Sequence, residues 1–342
     1  MWYSIAMILY DANLRPPFRD FGILIPIAPD KQKRIVDALR ADLQAAPLLD
    51  RFLTVPDYVP VGPEEVGLVH SPAYTSMLYS DKLEEVLMKT FELIDEEGNY
   101  HRYDPSLAVR PLSELRDAVL RYVAGVHQIC TIALQSGHGF FLGGGTHHAR
   151  FDTGSGFCLV NDAVIALRML QRDGALKSAW IIDVDCHKGD GTACLTEGDE
   201  TIRTLSIHMA RGWPLDGPPY LPDGSINPPY TPSDIDIPIE AHQAPHYNRR
   251  LREGLDQLAG YPTPDLALVL SGVDPWEHDE LPSTSVLKLT AEQLRERDNL
   301  VYDFLKQRGL AHAYLTAGGY GARAWQLYIP LLRRMLLDWA AE

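Results

Sequence analysis

Cysteine is scarce in this 342-residue chain: four residues, Cys130, Cys158, Cys186 and Cys194. None forms a C-x-x-C pair, which argues against a cysteine zinc site. Four thiols in so long a chain make no disulfide framework. Small buried packing is the expected role of Cys158 and Cys186, and a reducing, cytoplasmic setting is expected with it. Basic excess is lacking too. The 31 Lys and Arg against 46 Asp and Glu leave a formal net charge of −15, which argues against a non-specific nucleic-acid surface. No apolar run is long enough to span a bilayer. The opening MWYSIAMILY has neither a basic flank nor a small-residue cleavage site, so residues 1–10 are expected to form a first buried strand. Internal repeats and low-complexity tracts are also absent. What remains, with a hydrophobic share of 46%, is ample material for a large core, expected as one catalytic domain over residues 1–342.

Strand-like apolar runs alternate with helix-like segments. Strands are expected at 140–142, 179–184, 201–207, 234–239, 266–270 and 313–316. Helices are expected at 29–43, where Ile35, Val36, Leu39 and Leu43 fall at helical spacing, and at 114–134, 161–170, 291–305 and 324–339. The helix at 161 carries Asn161 and Asp162 as its start signal. This alternation means βαβ units, hence an α/β fold with a mostly parallel central sheet between two helical layers. Residues 81–111 and 211–232 break the rhythm. The second holds seven prolines, at 214, 218, 219, 222, 228, 229 and 232. Long loops inside such folds are usually functional.

The most informative run is Trp180-Ile181-Ile182-Asp183-Val184-Asp185-Cys186-His187-Lys188-Gly189-Asp190. A buried parallel strand ends, and three carboxylates and an imidazole follow. Open α/β sheets build their sites beyond the carboxyl ends of their strands. Asp185 and His187, two apart, suit a divalent metal such as zinc. A second strand, Leu268-Val269-Leu270, runs on to Asp274 and brings a further carboxylate to the same edge. A lone strand-end Asp is more often a cap for backbone amides; Asp-x-Asp-x-His with a second strand-end Asp favours a metal. Gly143-Gly144-Gly145-Thr146-His147-His148 adds two imidazoles, suited to general acid and base work. Asp183 and Asp190 are the spare carboxylates that could fix their tautomers. Phe157 in Gly156-Phe157-Cys158 reads equally as a channel wall or a core ring. Tyr320, between Gly319 and Gly321, can donate to an oxyanion.

Taken together, GGGTHHA at 143–149, GFCLVND at 156–162, DVDCHKGDGT at 183–192, Asp274 and GGYG at 318–321 resemble the histone deacetylase family, zinc-dependent amidohydrolases of the arginase–deacetylase fold. The resemblance implies one Zn²⁺ per chain on Asp185, His187 and Asp274. It implies His148 as general base and acid oriented by Asp190, His147 as its charged neighbour oriented by Asp183, and Tyr320 polarising the acyl carbonyl. Gly156, Phe157 and Trp213 would line the substrate channel, with Asp104 on its rim. A structural K⁺ would sit on Asp183, Ser206 and the backbone carbonyls of Asp185, His187 and Ile207. Two positions depart from the common pattern: Ala317 replaces a frequent glycine, and Trp213 stands where Phe is usual, which reshapes the tunnel. The implied activity is hydrolysis of an N-acyl amine, acetyl-lysine first and acetylpolyamine second, with no membrane or nucleic-acid partner and with self-association left open. A two-manganese ureohydrolase and an inactive acyl-lysine binder are the rivals. The first would leave Tyr320 without a purpose, and the second predicts a missing reactive residue.

Overall fold

The computed structural model describes residues 7–341 apart from Arg15 and Glu96. Its strands are β1 Ile8–Leu9, β2 Leu53–Thr54, β3 His138–Phe141, β4 Ala179–Asp183, β5 Ile202–Met209, β6 Ile235–Ile239, β7 Leu266–Leu270 and β8 His312–Leu315. They form one sheet in the order β2-β1-β3-β8-β7-β4-β5-β6, and every pairing is parallel. Of the strand expected over 1–10, residues 1–6 lie outside the described residues, and Ile8–Leu9 is the part observed.

Successive side chains of a strand point to opposite faces. In β4, Trp180 and Ile182 join one core and Ile181 the other. Helices Lys31–Ala41, Ala46–Phe52, Tyr247–Leu258, Ala291–Gln307 and Ile329–Ala341 pack on the first face. Pro63–Val66, Pro72–Leu78, Leu83–Thr90, Glu114–Ser136 and Asp162–Arg172 pack on the second. Sheets covered on both faces carry near-continuous apolar strands, and LALVL in β7 is buried throughout. The result is the expected three-layer α/β/α fold.

Three expectations need correction. Leu43 does not belong to the first helix, which ends at Ala41, and Leu43 is 94% exposed. Asp42 turns the chain there, its Oδ1 accepting from the amides of Gln44 and Ala45 at 2.9 Å each. The irregular stretch 81–111 contains a helix, Leu83–Thr90. The terminal helix begins at Ile329 after a separate 3₁₀ turn, Ala324–Tyr328. Pro330 has no N–H to continue a helix already under way but is tolerated in a first turn.

This topology places the site. The exits of β3, β8, β7 and β4 lie side by side at the carboxyl edge of the sheet. They lead into residues 142–148, 316–321, 271–274 and 184–190.

Candidate active site

Adjacent strands β4 and β7 deliver Asp185 two residues and Asp274 four residues past their ends. One ligand atom each from Asp185, His187 and Asp274 lies within 4.8 Å of the others, and all three residues are buried. His187 Nδ1 stands 3.4 Å from Asp185 Oδ1 and 3.3 Å from Asp274 Oδ2. Its other nitrogen, Nε2, meets Ser283 Oγ at 3.1 Å, which fixes the ring. Burial alone would strip the proton from His187, yet the two carboxylates hold its pKa up at about 9. Burial and the neighbouring Asp185 charge push Asp274 up to about 6. Asp274 Oδ2 is buried and makes no hydrogen bond among the described residues. Two crowded carboxylates, an imidazole and an orphaned oxygen form a donor set that fits a divalent cation with positions left open.

The Gly143–Gly145 turn after β3 brings the two imidazoles in. Asp162 anchors that turn through Gly145 N–H and Thr146 N–H at 2.9 Å each. Asn161 caps its own helix through Val164 N–H at 3.1 Å. His147 and His148 have ring centroids 4.0 Å apart. A carboxylate can only accept, so His147 Nδ1–H donates to Asp183 Oδ2 at 2.6 Å and His148 Nδ1–H to Asp190 Oδ1 at 2.7 Å. The environments then part. Burial opposes charge on His147, but Asp183 and Asp185 hold it up at about 10. Burial and the charge of His147 press His148 down to about 3. The two rings are thus driven in opposite directions, His147 towards the charged form and His148 towards the neutral one.

Tyr320 reaches the same centre on the loop after β8. Burial first, and the Asp274 carboxylate second, push its hydroxyl well above the ordinary tyrosine range, so it stays a donor. A cavity lined by His147, His148, Asp185, His187, Phe157 and Tyr320 opens on the site. A second cavity shares His148, Gly156, Phe157 and Tyr320 and adds Trp213 and Leu281. Trp213 stands edge-on to both His148 and His187, with centroids at 4.5 and 5.4 Å. Any side chain at Gly156 would collide with Trp213 and His148.

The remaining expected positions are distributed less tightly. Asp183 and Ser206 pair across β4 and β5, with Ile207 the next residue along. Ser206 Oγ lies 3.0 Å from His208 Nδ1. Asp104 lines neither of the two cavities. Its carboxylate accepts from Ser106 N–H at 3.0 Å and starts a short 3₁₀ turn.

Several contributors escaped the sequence reading. Arg297, fully buried, donates to the carbonyls of Val184 and Gly272 at 3.0 and 2.6 Å and so ties the exits of β4 and β7 together. Arg102 pairs with Glu92 and lies over the Phe157 ring, 5.6 Å from its centroid, at the mouth. His70 accepts from Asn161 N–H at 3.1 Å and donates to Arg150 O at 2.8 Å. No local spacing marks any of them.

Fold and site define an α/β protein with a buried, metal-competent centre at the carboxyl edge of a parallel sheet. The chain belongs to the histone deacetylase family, whose domain model matches residues 25–332. It is 32% identical over 224 residues to an uncharacterized protein of Picosynechococcus sp., a match covering 65% of this chain and 68% of that protein. It is 24% identical to Histone deacetylase 2 of Arabidopsis thaliana over 58% of this chain and 49% of that one. It is 28% identical to the acetoin utilization protein AcuC of Bacillus subtilis over 60% of this chain and 51% of that one. The matched part thus spans about half the length of these last two relatives. Among solved structures, the HDA15 HD domain shares the fold with a TM-score of 0.69 and 18% identity, over 98% of this chain and 90% of that one. Among the described residues, no helix is long and apolar enough to cross a membrane.

Proposed function

We propose that this protein hydrolyses N-acyl amines, with the acetylated lysine side chain as first substrate class and acetylated polyamines as second. The observation that carries the reading is the pair of adjacent imidazoles, each bonded through Nδ1 to its own carboxylate, beside a three-residue ligand set. A zinc-class ion on Asp185, His187 and Asp274 would supply Lewis acidity and lower the pKa of water in an open position.

The protein's own groups do the rest. Asp190 occupies Nδ1 of His148 and leaves Nε2 to take the proton of the attacking water and then to return it to the departing amine. The products are the carboxylic acid and the free amine. Tyr320 donates its hydroxyl to the oxyanion that forms at the former carbonyl. His147, bonded to Asp183, packs against His148; its charge keeps that ring neutral until the water is deprotonated and then drives the proton on to the departing amine. Phe157 and Trp213 form the walls that admit an extended acyl-amine stem, and Asp104 addresses the outer part of the substrate. Asp183, Ser206 and the carbonyls of Asp185, His187 and Ile207 offer the hard oxygen donors that an alkali cation such as K⁺ prefers. We assign the protein to the cytoplasm.

The test is turnover of a panel of acyl-lysine peptides and acetylpolyamines by the wild type and by His148→Ala, with metal content measured on both. Abolished turnover with one ion per chain retained is the expected result. Full activity in the variant would refute the role of His148, and two tightly bound ions would favour a binuclear ureohydrolase.

A further inference from the structure

Tyr320 sits in a segment with almost no side chains to hold it. Gly318, Gly319 and Gly321 surround it, with φ of 139° at Gly319 and 87° at Gly321. Glycines bring no side chains of their own to anchor such a backbone, so its hydrogen bonds gain in weight. Most of those bonds hold the neighbours of Tyr320. The Tyr328 hydroxyl lies 2.5 Å from Thr316 O and 3.0 Å from Gly318 O, and Lys31 Nζ donates to Gly319 O at 3.3 Å. Gly321 N–H reaches Pro26 O at 2.6 Å. The amide of Tyr320 itself donates to Asp279 Oδ2 at 2.8 Å.

Asp279 is 9% exposed and lies five residues beyond Asp274. Its second oxygen, Oδ1, accepts from Leu281 N–H at 3.0 Å and lies 3.2 Å from Thr284 Oγ1. Leu281 lines the second cavity together with Phe157, Trp213 and Tyr320. One carboxylate therefore grips the backbone of the proposed oxyanion donor and the backbone of a residue at the tunnel mouth.

We infer that Asp279 is a positioning residue that sets where the Tyr320 hydroxyl stands and locks it to the Leu281 side of the mouth. The inference rests on the reading of Tyr320 as oxyanion donor. Both oxygens of this buried carboxyl group are engaged, by two backbone amides and beside the Thr284 hydroxyl, which suits a group that holds a glycine-flanked residue in place. Neither Ala nor Asn can reproduce the arrangement. Ala accepts nothing. Asn offers one oxygen where two backbone amides need separate acceptors, and its NH₂ would meet an N–H head-on.

The test is a double-mutant cycle with Asp279→Ala, Asp279→Asn, Tyr320→Phe and the two double variants, read in kcat and KM with metal content as control. Loss of one oxyanion donor lowers kcat by about 10²–10³-fold, and Asp279→Ala should approach that loss with metal content unchanged. In the Tyr320→Phe background the same change should add less than about threefold, because residues acting as one unit are not additive. A loss that multiplies in full with Tyr320→Phe, or an unchanged kcat in both Asp279 variants, overturns the inference. A second readout needs no turnover: amide hydrogen exchange over residues 317–322 should speed up at least about tenfold in Asp279→Ala. Unchanged exchange overturns the tether whatever the chemistry. Faster exchange with a fully active Tyr320→Phe would instead leave the tether standing and sink the oxyanion role.

Discussion

Replacing Arg297 by Met tests how the site is braced from beneath. The guanidinium is wholly buried and makes three kinds of contact: with Val184 O, with Gly272 O and with the Asp298 carboxylate at 2.6–2.8 Å. Met keeps much of the stem volume and removes every donor. Two strand-exit carbonyls then lose a charged donor, at about 1–3 kcal/mol for each buried group left unmade. Asp298, 5% exposed, is left as a buried acid without its cation, and breaking one side of such a pair costs about 3–5 kcal/mol. These figures overlap, and Asp298 can relieve part of the strain by taking a proton, since burial already raises its pKa. A net loss of about 4 kcal/mol is expected. Urea unfolding followed by circular dichroism measures it. The double variant Arg297→Met with Asp298→Leu should regain roughly half, because the lone acid goes while the two carbonyls stay unpaired. A single variant within about 1 kcal/mol of wild type would show that the brace contributes little. A double variant no more stable than the single would show that the stranded acid is not the cause.

Tyr320→Phe should lower kcat by about 10²–10³ and leave KM within a few fold, checked by steady-state kinetics on an acetyl-lysine peptide; an unchanged kcat removes the hydroxyl from the reaction. Chelation should abolish turnover and lower the melting temperature, and added Zn²⁺ should restore both; a chelated protein that keeps full activity contradicts the assignment of Asp185, His187 and Asp274. Burial holds His70 down at about 4 against an ordinary value of 6.5, so as pH falls below 6.5 the unfolded chain gains a proton that the folded ring refuses, and stability drains away down to about pH 4. That loss approaches 3 kcal/mol at most, and His70→Gln should show a shallower decline of the urea midpoint over this window; parallel slopes would clear His70 of any part in it.

What the sequence revealed and what it hid follow from distance along the chain. Asp183, Asp185, His187 and Asp190 fall within eight residues, so their convergence required only that one strand end where its apolar run ends. Asp274 was legible because β7 is an uninterrupted apolar run that ends close to it. Arg297 was not legible. It lies 113 residues from Val184, on a helix whose sequence gives no sign that one cation turns inward. The helix Tyr247–Leu258 also went unread, although Tyr247, Leu251, Leu255 and Leu258 follow helical spacing, because arginines crowd the intervening positions. In the first third, the helices Ala46–Phe52, Pro63–Val66, Pro72–Leu78 and Leu83–Thr90 are shorter than the window over which a 3.6-residue period declares itself. Their stability comes from packing on the sheet, Ala46–Phe52 on the first face and the other three on the second, rather than from propensity.

Hydrogen bonds from the two candidate ligand carboxylates join the metal-competent set to the tyrosine loop. Asp274 Oδ1 accepts from Cys186 N–H at 2.9 Å, which links the β7 exit to the β4 exit through the backbone between two ligands. Asp185 Oδ1 accepts from His187 N–H at 3.1 Å, and its Oδ2 accepts from Gly318 N–H at 3.0 Å, on the loop that carries Tyr320. A side chain at Gly318 would strike the carboxylates of both Asp185 and Asp274. Each acid is thus oriented by a backbone amide, which limits the freedom of its carboxylate to reorient. The same bond makes the Asp185 carboxylate a shared support. Rotating it to suit a different ion would pull on Gly318, and displacing Gly318 would carry Tyr320 with it. The geometry of the candidate ligand set is therefore linked to the tyrosine loop through Asp185 Oδ2, alongside the bond from Tyr320 N–H to Asp279.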